Sequence, residues 1–178
     1  MTMFELKDLP SFETLSKFAK EYHNPDLEGV QTWLQVAKAT SDMMLAFEAN
    51  LARHGLSQTK FFVLLLLKRN PSGLGLGKLA EGVSVSSPTM TGIIDRMERS
   101  DLCRREQDAN DRRAWIVRLL PEGETLLAQV LPDHYLWVAR LMSDFNTADR
   151  LQLCELMARL TQALRHAESG RETAALSN

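Results

Sequence analysis

Cysteine is scarce in this 178-residue chain: there are two, Cys103 and Cys154, far apart and in no metal-binding spacing. That excludes a disulfide framework and a thiolate zinc site, and it suits a reduced cytosolic protein. The four histidines, His23, His54, His134 and His166, show no ligand spacing either, so no metal site is expected. Long apolar runs are missing as well. The longest, residues 61–67, has seven residues, far short of a membrane span. The opening MTMFELKDLPSFE carries acidic residues and no apolar signal core, so a cytoplasmic location is expected. Gly73, Gly75 and Gly77 lack both the spacing and the Lys-Ser/Thr ending of a phosphate loop. No nucleophile motif, metal constellation or catalytic pair of carboxylates stands out. The expectation is a chain with no catalytic residues and no cofactor.

A surplus of positive charge is also absent, the net charge being −2. The distribution is more informative than the sum. Residues 60–120 hold eleven Lys or Arg against seven Asp or Glu, whereas the rest holds ten against sixteen. Seven arginines fall between Arg96 and Arg118. A basic module in an acidic frame gives a local phosphate footprint and keeps the rest of the chain off a polyanion.

Periodicity organises what remains. Residues 12–22 have apolar positions at 12, 15, 18, 19 and 22, an amphipathic helix that Asn24-Pro25-Asp26 ends. A long helix is predicted over 28–53, with Trp33, Ala37, Thr40, Met44, Phe47 and Leu51 on one stripe. Leu34, Val36, Met43 and Leu45 widen that stripe beyond what one partner covers, which points to a second subunit. Gly55 suits a helix C-terminus and Ser57 a cap for the next helix, 58–69, which is apolar nearly all round and should be central. After the 104–107 and 115–119 strands, Pro121 opens a helix running towards Phe145, with a kink or break expected near Leu131 because Pro132 follows. Asn146 caps a last helix with Leu153, Leu156, Met157, Leu160 and Leu164 on its stripe, and a flexible tail is expected from 167 to 178.

The stretch 76–118 reads as a short helix, a tight turn, a second helix opened by Ser87 and Pro88, and a hairpin with arginines at its tip. In the second helix Met90, Ile93, Ile94 and Met97 form a core stripe. Thr89, Gly92, Arg96 and Arg99 share another face. A small, polar and cationic face beside a loop carrying Asp111, Arg112 and Arg113 is what a major-groove reader with a minor-groove arm requires. The fold class expected is mostly α with a small β-hairpin wing: a winged helix-turn-helix with N- and C-terminal helices.

The order of elements over residues 34–164, and above all Asp108-Ala109-Asn110-Asp111-Arg112-Arg113-Ala114, resembles the MarR family of bacterial transcription regulators. Leu79-Ala80, the Val85-to-Met97 helix and Glu122-Gly123 stand where that family has them. The resemblance implies a homodimeric, ligand-responsive regulator of double-stranded DNA, a repressor on a pseudo-palindromic operator. It divides the chain into an N-terminal extension (1–30), a dimerisation region (31–57 and 122–166), a winged helix-turn-helix region (58–121) and a tail (167–178). It also implies that Arg113 enters the minor groove, that Asp111 braces it, and that Arg112 lies near the backbone. Ser86, Ser87, Thr89, Thr91 and Arg96 would face DNA from the recognition helix, Ser87 serving equally well as its N-cap, while Arg99 and Lys78 add phosphate neutralisation. Three departures stand out: Gly92 shortens the reading face, Asp101 replaces the usual glycine after the recognition helix, and Leu120 stands where the family commonly has a threonine, which removes a capping hydroxyl before the next helix.

Many members release DNA when a small aromatic compound enters a pocket beside the dimerisation helices. Tyr22, Trp33, Met44, Phe47, Phe62, His134 and Trp137 are suitable lining material, although aromatics at helical spacing also build cores. The urate-responsive subgroup resembles this chain in its extra first helix, but Tyr22 and Phe62 replace that subgroup's tryptophan and aspartate, so a more apolar aromatic effector is expected. A cysteine-based redox response at Cys103 and a winged-helix protein-interaction module without DNA binding are the alternatives.

Overall fold

The structure is a computed structural model that describes residues 8–24, 26–108 and 114–175. Its elements run α1 (Phe12–Glu21), α2 (Leu27–Ala52), α3 (Gln58–Arg69), β1 (Leu74–Gly75), α4 (Leu76–Gly82), α5 (Ser87–Glu98), β2 (Cys103–Gln107), β3 (Trp115–Leu119), α6 (Pro121–Leu141) and α7 (Thr147–Ala175). They form two compact units, Met1–His134 and Tyr135–Asn178.

Local chemistry explains most helix ends. Ser11 accepts from the Thr14 N–H, Asp26 from the Gly29 N–H and Ser57 from the Lys60 N–H, each satisfying a first-turn donor that has no partner within the helix. At the far end of α2 the Leu56 N–H reaches back to the Leu51 carbonyl and the Gly55 N–H to that of Ala52, with Gly55 at φ +70°. The same left-handed closure ends α5, where Leu102 N–H donates to Met97 O and Asp101 N–H to Glu98 O at φ +53°. Asp101 therefore does adopt the conformation that its glycine-like position demands. The substitution Asp101→Gly should relieve the Cβ penalty and raise stability by up to about 1 kcal/mol. Urea denaturation would register this as a higher midpoint at unchanged slope.

The core of the first unit is built around α3. Phe61, Val63, Leu64 and Leu67 are buried, as are Leu51 of α2, Leu79 and Ala80 of α4, Met90, Ile94 and Met97 of α5, Val117 of β3, and Leu127 and Val130 of α6. Each large side chain taken from water contributes about 1.5–3 kcal/mol. Phe62 is the exception on α3, being 43% exposed. In α2 only the last turns are buried, at Phe47, Asn50 and Leu51, while Trp33 stays 61% exposed. The wide apolar face of the long helix is thus left open within one chain.

The sheet has the order β1-β3-β2, all antiparallel. Leu74 and Gly75 pair with Val117 and Ile116, and Cys103 through Gln107 pair with Leu119 through Trp115. The hairpin alone was expected. The extra two-residue strand makes β3 the central one, and Ile116 is buried along with Val117 instead of alternating with it, its Cδ1 lying against the turn at Gly73.

Two sequence expectations change in the helices that follow. Pro121 does open α6, and of the kink or break expected near Leu131 the break does not occur: α6 runs through Pro132 to Leu141. Pro132 and Ala128, whose carbonyl loses its donor to the proline, are both exposed, so water can satisfy that group. In the second unit, Asn146 Oδ1 accepts from the Ala148 and Asp149 N–H groups, and Asp149 Oδ2 accepts in return from the Asn146 N–H at 3.0 Å. The backbone stretch read as a loose tail from 167 is helical as far as Ala175.

Candidate nucleic-acid interface

The helix-turn-helix is set by backbone geometry before any side chain is considered. Helix α4 packs so closely on α3 that a Cβ at Gly82 would meet Leu66 Cδ1 at 2.8 Å. It ends at Gly82, and in the turn that follows Ser84 lies in the left-handed region at φ +54°, with Val85 N–H donating to Ala80 O at 3.0 Å. This turn delivers the chain to Ser86, the N-cap of α5. The Ser86 hydroxyl accepts from the Thr89 N–H at 3.3 Å and lies 2.7 Å from Thr89 Oγ1.

The cap is therefore one residue earlier than Ser87, which belongs to the first turn of the helix with Pro88 behind it. The distinction matters for the face offered to a ligand. Ser86 is tied into the helix start, and the Thr91 hydroxyl donates to Ser87 O at 3.1 Å. The Ser87 hydroxyl has no hydrogen bond among the described residues and is exposed. Arg96 is likewise exposed, with no ion pair among the described residues. A Cβ at Gly92 would lie 3.7 Å from Arg96 Nη1, so the missing side chain leaves room for the guanidinium to lie along the helix. On the opposite side Met90, Ile93, Ile94 and Met97 are buried, as their spacing requires. Thr89 and Arg96 thus share a solvent face on a helix whose other face is fixed in the core, and Ser87 is exposed on its first turn. Lys78 and Arg99 are also exposed, but Arg99 Nε donates to Asp95 O at 3.1 Å, which ties that side chain to its own helix.

The basic stretch contains fewer free cations than its arginine count suggests. Arg105, singled out by no sequence pattern, joins the wing to the recognition helix. Its Nη1 lies 2.5 Å from Glu98 Oε2 and 2.6 Å from Asp95 Oδ1, and its Nη2 donates to Thr91 O at 3.1 Å. The Arg105 backbone N–H also donates to Glu98 Oε1, at 2.5 Å. Arg118 pairs with Glu106 through Nε and donates from Nη1 to Pro71 O, while Arg104 Nη2 lies 3.2 Å from the other Glu106 oxygen. These three arginines are structural ties. A local signal existed in the Glu98–Arg105 spacing across a tight turn, but it does not distinguish a clamp from a phosphate contact.

Asp111, Arg112 and Arg113 lie outside the described residues. The structure does describe both roots of the hairpin, where the Asp108 N–H donates to Ala114 O at 3.0 Å. Cys103 is 1% exposed, and burial, reinforced by the Glu98 carboxylate against the opposing pull of Arg105, pushes its thiol up to about 12. Burial thus disfavours the thiolate that a redox sensor needs.

Of the aromatic set, the structure brings together Phe47, Phe62 and His134. The Phe47 ring centroid lies 5.7 Å from that of Phe62 and 5.4 Å from the His134 ring, and Phe61 completes the group at 5.7 Å from Phe47. Burial lowers the His134 pKa, which favours the neutral ring. Met44 is half-buried, and its carbonyl accepts from Gln58 Nε2. Tyr22 is 72% exposed and meets Phe18 edge-on. Trp137 belongs to the second unit.

Residues 56–115 match the family model described as the MarR family. The chain is 27% identical over 161 residues to the HTH-type transcriptional repressor YetL of Bacillus subtilis (strain 168), covering 90% of this chain and 96% of the relative. It is 30% identical to the HTH-type transcriptional repressor MdtR of the same organism, over 64% of this chain and 73% of the relative. The transcriptional repressor CouR, solved bound to a 23-mer DNA duplex, superposes with a TM-score of 0.64 at 26% identity, over 71% of this chain and 89% of that one.

Proposed function

This chain belongs to the MarR family of DNA-binding transcription regulators, and from that premise we propose that it acts as a homodimeric, sequence-specific repressor, released from a pseudo-palindromic operator by a small aromatic compound. The observation that carries the DNA half is the two-sided recognition helix: Met90, Ile94 and Met97 are locked in the core while Ser87, Thr89 and Arg96 face solvent. Hydroxyls suit phosphate oxygens and either base edge, and an exposed guanidinium suits guanine. The relatives named as repressors support the sign of regulation.

Dimerisation is supported by apolar surface that one chain cannot cover. On α7, Leu156 is 46%, Leu160 37% and Leu164 57% exposed, and with Met157 they fall on one stripe. Large contiguous apolar faces mark protein interfaces. Two copies would hold two recognition helices about one helical turn apart, matching the two-fold symmetry of a pseudo-palindrome. Support for an aromatic effector comes from the Phe47–Phe62–His134 group, with Phe62 left partly open to a ligand.

Fluorescence anisotropy tests the reading on duplex DNA selected by the wild-type protein from a random pool. The Arg113→Ala variant should fold and dimerise normally but bind at least about tenfold more weakly, the loss of roughly 1–3 kcal/mol for one good contact. Unchanged affinity would overturn the wing assignment. Failure of the wild type to select any duplex at low salt would favour a protein-interaction module instead.

A further inference from the structure

At the root of the wing lies a cleft of about 390 Å³ that the recognition helix does not line. Its walls include Gly73, Gly75 and Gly77 on one side, Trp115 and Asp108 on the other, and Lys78. Two of the glycines keep it open: a Cβ at Gly77 would meet nothing within 4 Å, and one at Gly75 only the Trp115 carbonyl at 3.9 Å.

Trp115 is unusual in this setting. Strand alternation puts it on the same face as Val117 and Leu119, and Val117 is fully buried. The core ends there, because β1 pairs no further than Ile116 and Val117. Trp115 therefore projects past the end of the core, 55% exposed, and its indole N–H has no hydrogen bond among the described residues. An exposed apolar side chain by itself needs no explanation. Here the ring stands beside an exposed lysine in an open cleft, and Asp108 and Ala114, on either side of residues 109–113, line that same cleft. The surface is thus continuous with the wing.

We infer that this cleft seats the sugar–phosphate backbone of the operator strand next to the wing, with the Trp115 ring against a deoxyribose, its indole N–H donating to a phosphate oxygen, and Lys78 pairing with the same or the neighbouring phosphate. The inference rests on the DNA-binding reading and adds Trp115 to it as a docking residue. The chemistry favours this occupant over a free anion. An isolated phosphate would gain one ammonium in a cleft that Asp108, itself engaged within the protein, also lines. A nucleic acid strand offers the indole an apolar sugar and the lysine a phosphate, and most protein–DNA hydrogen bonds run to such backbone groups. Because indole is neutral, Trp115 adds affinity without adding to the counterion count, whereas Lys78 adds to both.

The test uses full-length protein labelled with fluorotryptophan, which gives one fluorine resonance for each of the three tryptophans. The resonance missing from Trp115→Phe identifies Trp115. On addition of duplex selected by the wild type, that resonance should shift and lose its sensitivity to exchange of H₂O for D₂O. Trp115→Ala should weaken binding roughly tenfold with the slope of log affinity against log salt unchanged, and Lys78→Gln should lower that slope by about one. Gly77→Leu, which fills the cleft without crowding the protein around its Cβ, should fold normally and also weaken binding. A Trp115 resonance that stays solvent-exposed, together with wild-type affinity for Trp115→Ala and Gly77→Leu, would overturn the inference while leaving the DNA-binding reading intact. Failure of the wild type to select any duplex would remove both.

Discussion

Replacing Gly123 with alanine is expected to destabilise the protein by about 2–3 kcal/mol, the upper part of the range for forcing a methyl group into a filled site. Gly123 is buried in the first turn of α6, and a Cβ there would fall inside the contact distance of the Leu102 carbonyl oxygen and of Leu119 Cδ1. A flexible side chain could move aside, but the Leu102 carbonyl cannot. It accepts from the Leu120 N–H at 3.0 Å and belongs to the segment that closes α5 and starts β2. The helix start must therefore lift away from the sheet. The midpoint of thermal unfolding should fall by roughly 5–10 °C in a chain of this size. The contrasting substitution Gly77→Ala meets no atom within 4 Å, so it should cost nothing and gain a few tenths of a kcal/mol from helix propensity. Equal effects at the two glycines would show that close approach is not what position 123 requires.

Loss of the Arg105 side chain should have the second large effect, and it should be felt in two measurements at once. Arg105→Ala leaves Asp95 and Glu98 facing each other without their shared cation and leaves the Thr91 carbonyl without its donor. Breaking a fully buried pair of this kind costs 3–5 kcal/mol. Here the arginine is 22% and the two carboxylates 48% and 28% exposed, so screening brings the expected cost to about 1–3 kcal/mol. DNA affinity should drop roughly tenfold as well, because recognition helix and wing lose their fixed angle and a carboxylate turns towards the phosphates. The salt dependence of binding separates this role from direct contact. A phosphate-contacting arginine lowers the slope by about one when removed, whereas a clamp leaves it unchanged. Arg105→Lys should recover part of the stability through one carboxylate but not the three-way geometry, since an ammonium has no planar fork.

The helix-turn-helix was readable from sequence because its signals are local. The stripe from Met90 to Met97, Ser57 at a cap, Gly55 at a left-handed end and Pro121 at a helix start all stand where their chemistry places them. Where the reading slipped, a longer-range choice decided. Ser86 and Ser87 can both cap a helix, and the turn geometry at Ser84 selected the first. Strand β1 has two residues and no alternation to detect, so only its pairing with β3 defines it. Proline at 132 signals a break, but exposure of Ala128 and Pro132 let the helix continue. Arginine count gave the right sign for the module but overstated its footprint, because Arg104, Arg105 and Arg118 are held by carboxylates. The aromatic residues were legible least of all. Periodicity placed Phe47 and Phe62 on helices but could not say that their rings meet each other and His134 while Tyr22 lies open to solvent.

The hydrogen bond from the Arg105 backbone to Glu98 has a consequence for assembly. Strand β2 is an outer edge of the sheet, and an unguarded edge is a template onto which another chain can add a strand. At Arg105 the outward N–H is taken by a carboxylate of the recognition helix, and the flanking Arg104 and Glu106 carry opposite charges along that edge. That contact and those charges disfavour addition of another strand along β2. In the homodimer proposed above, copies of the chain would meet through helical faces, an association that closes on itself instead of growing.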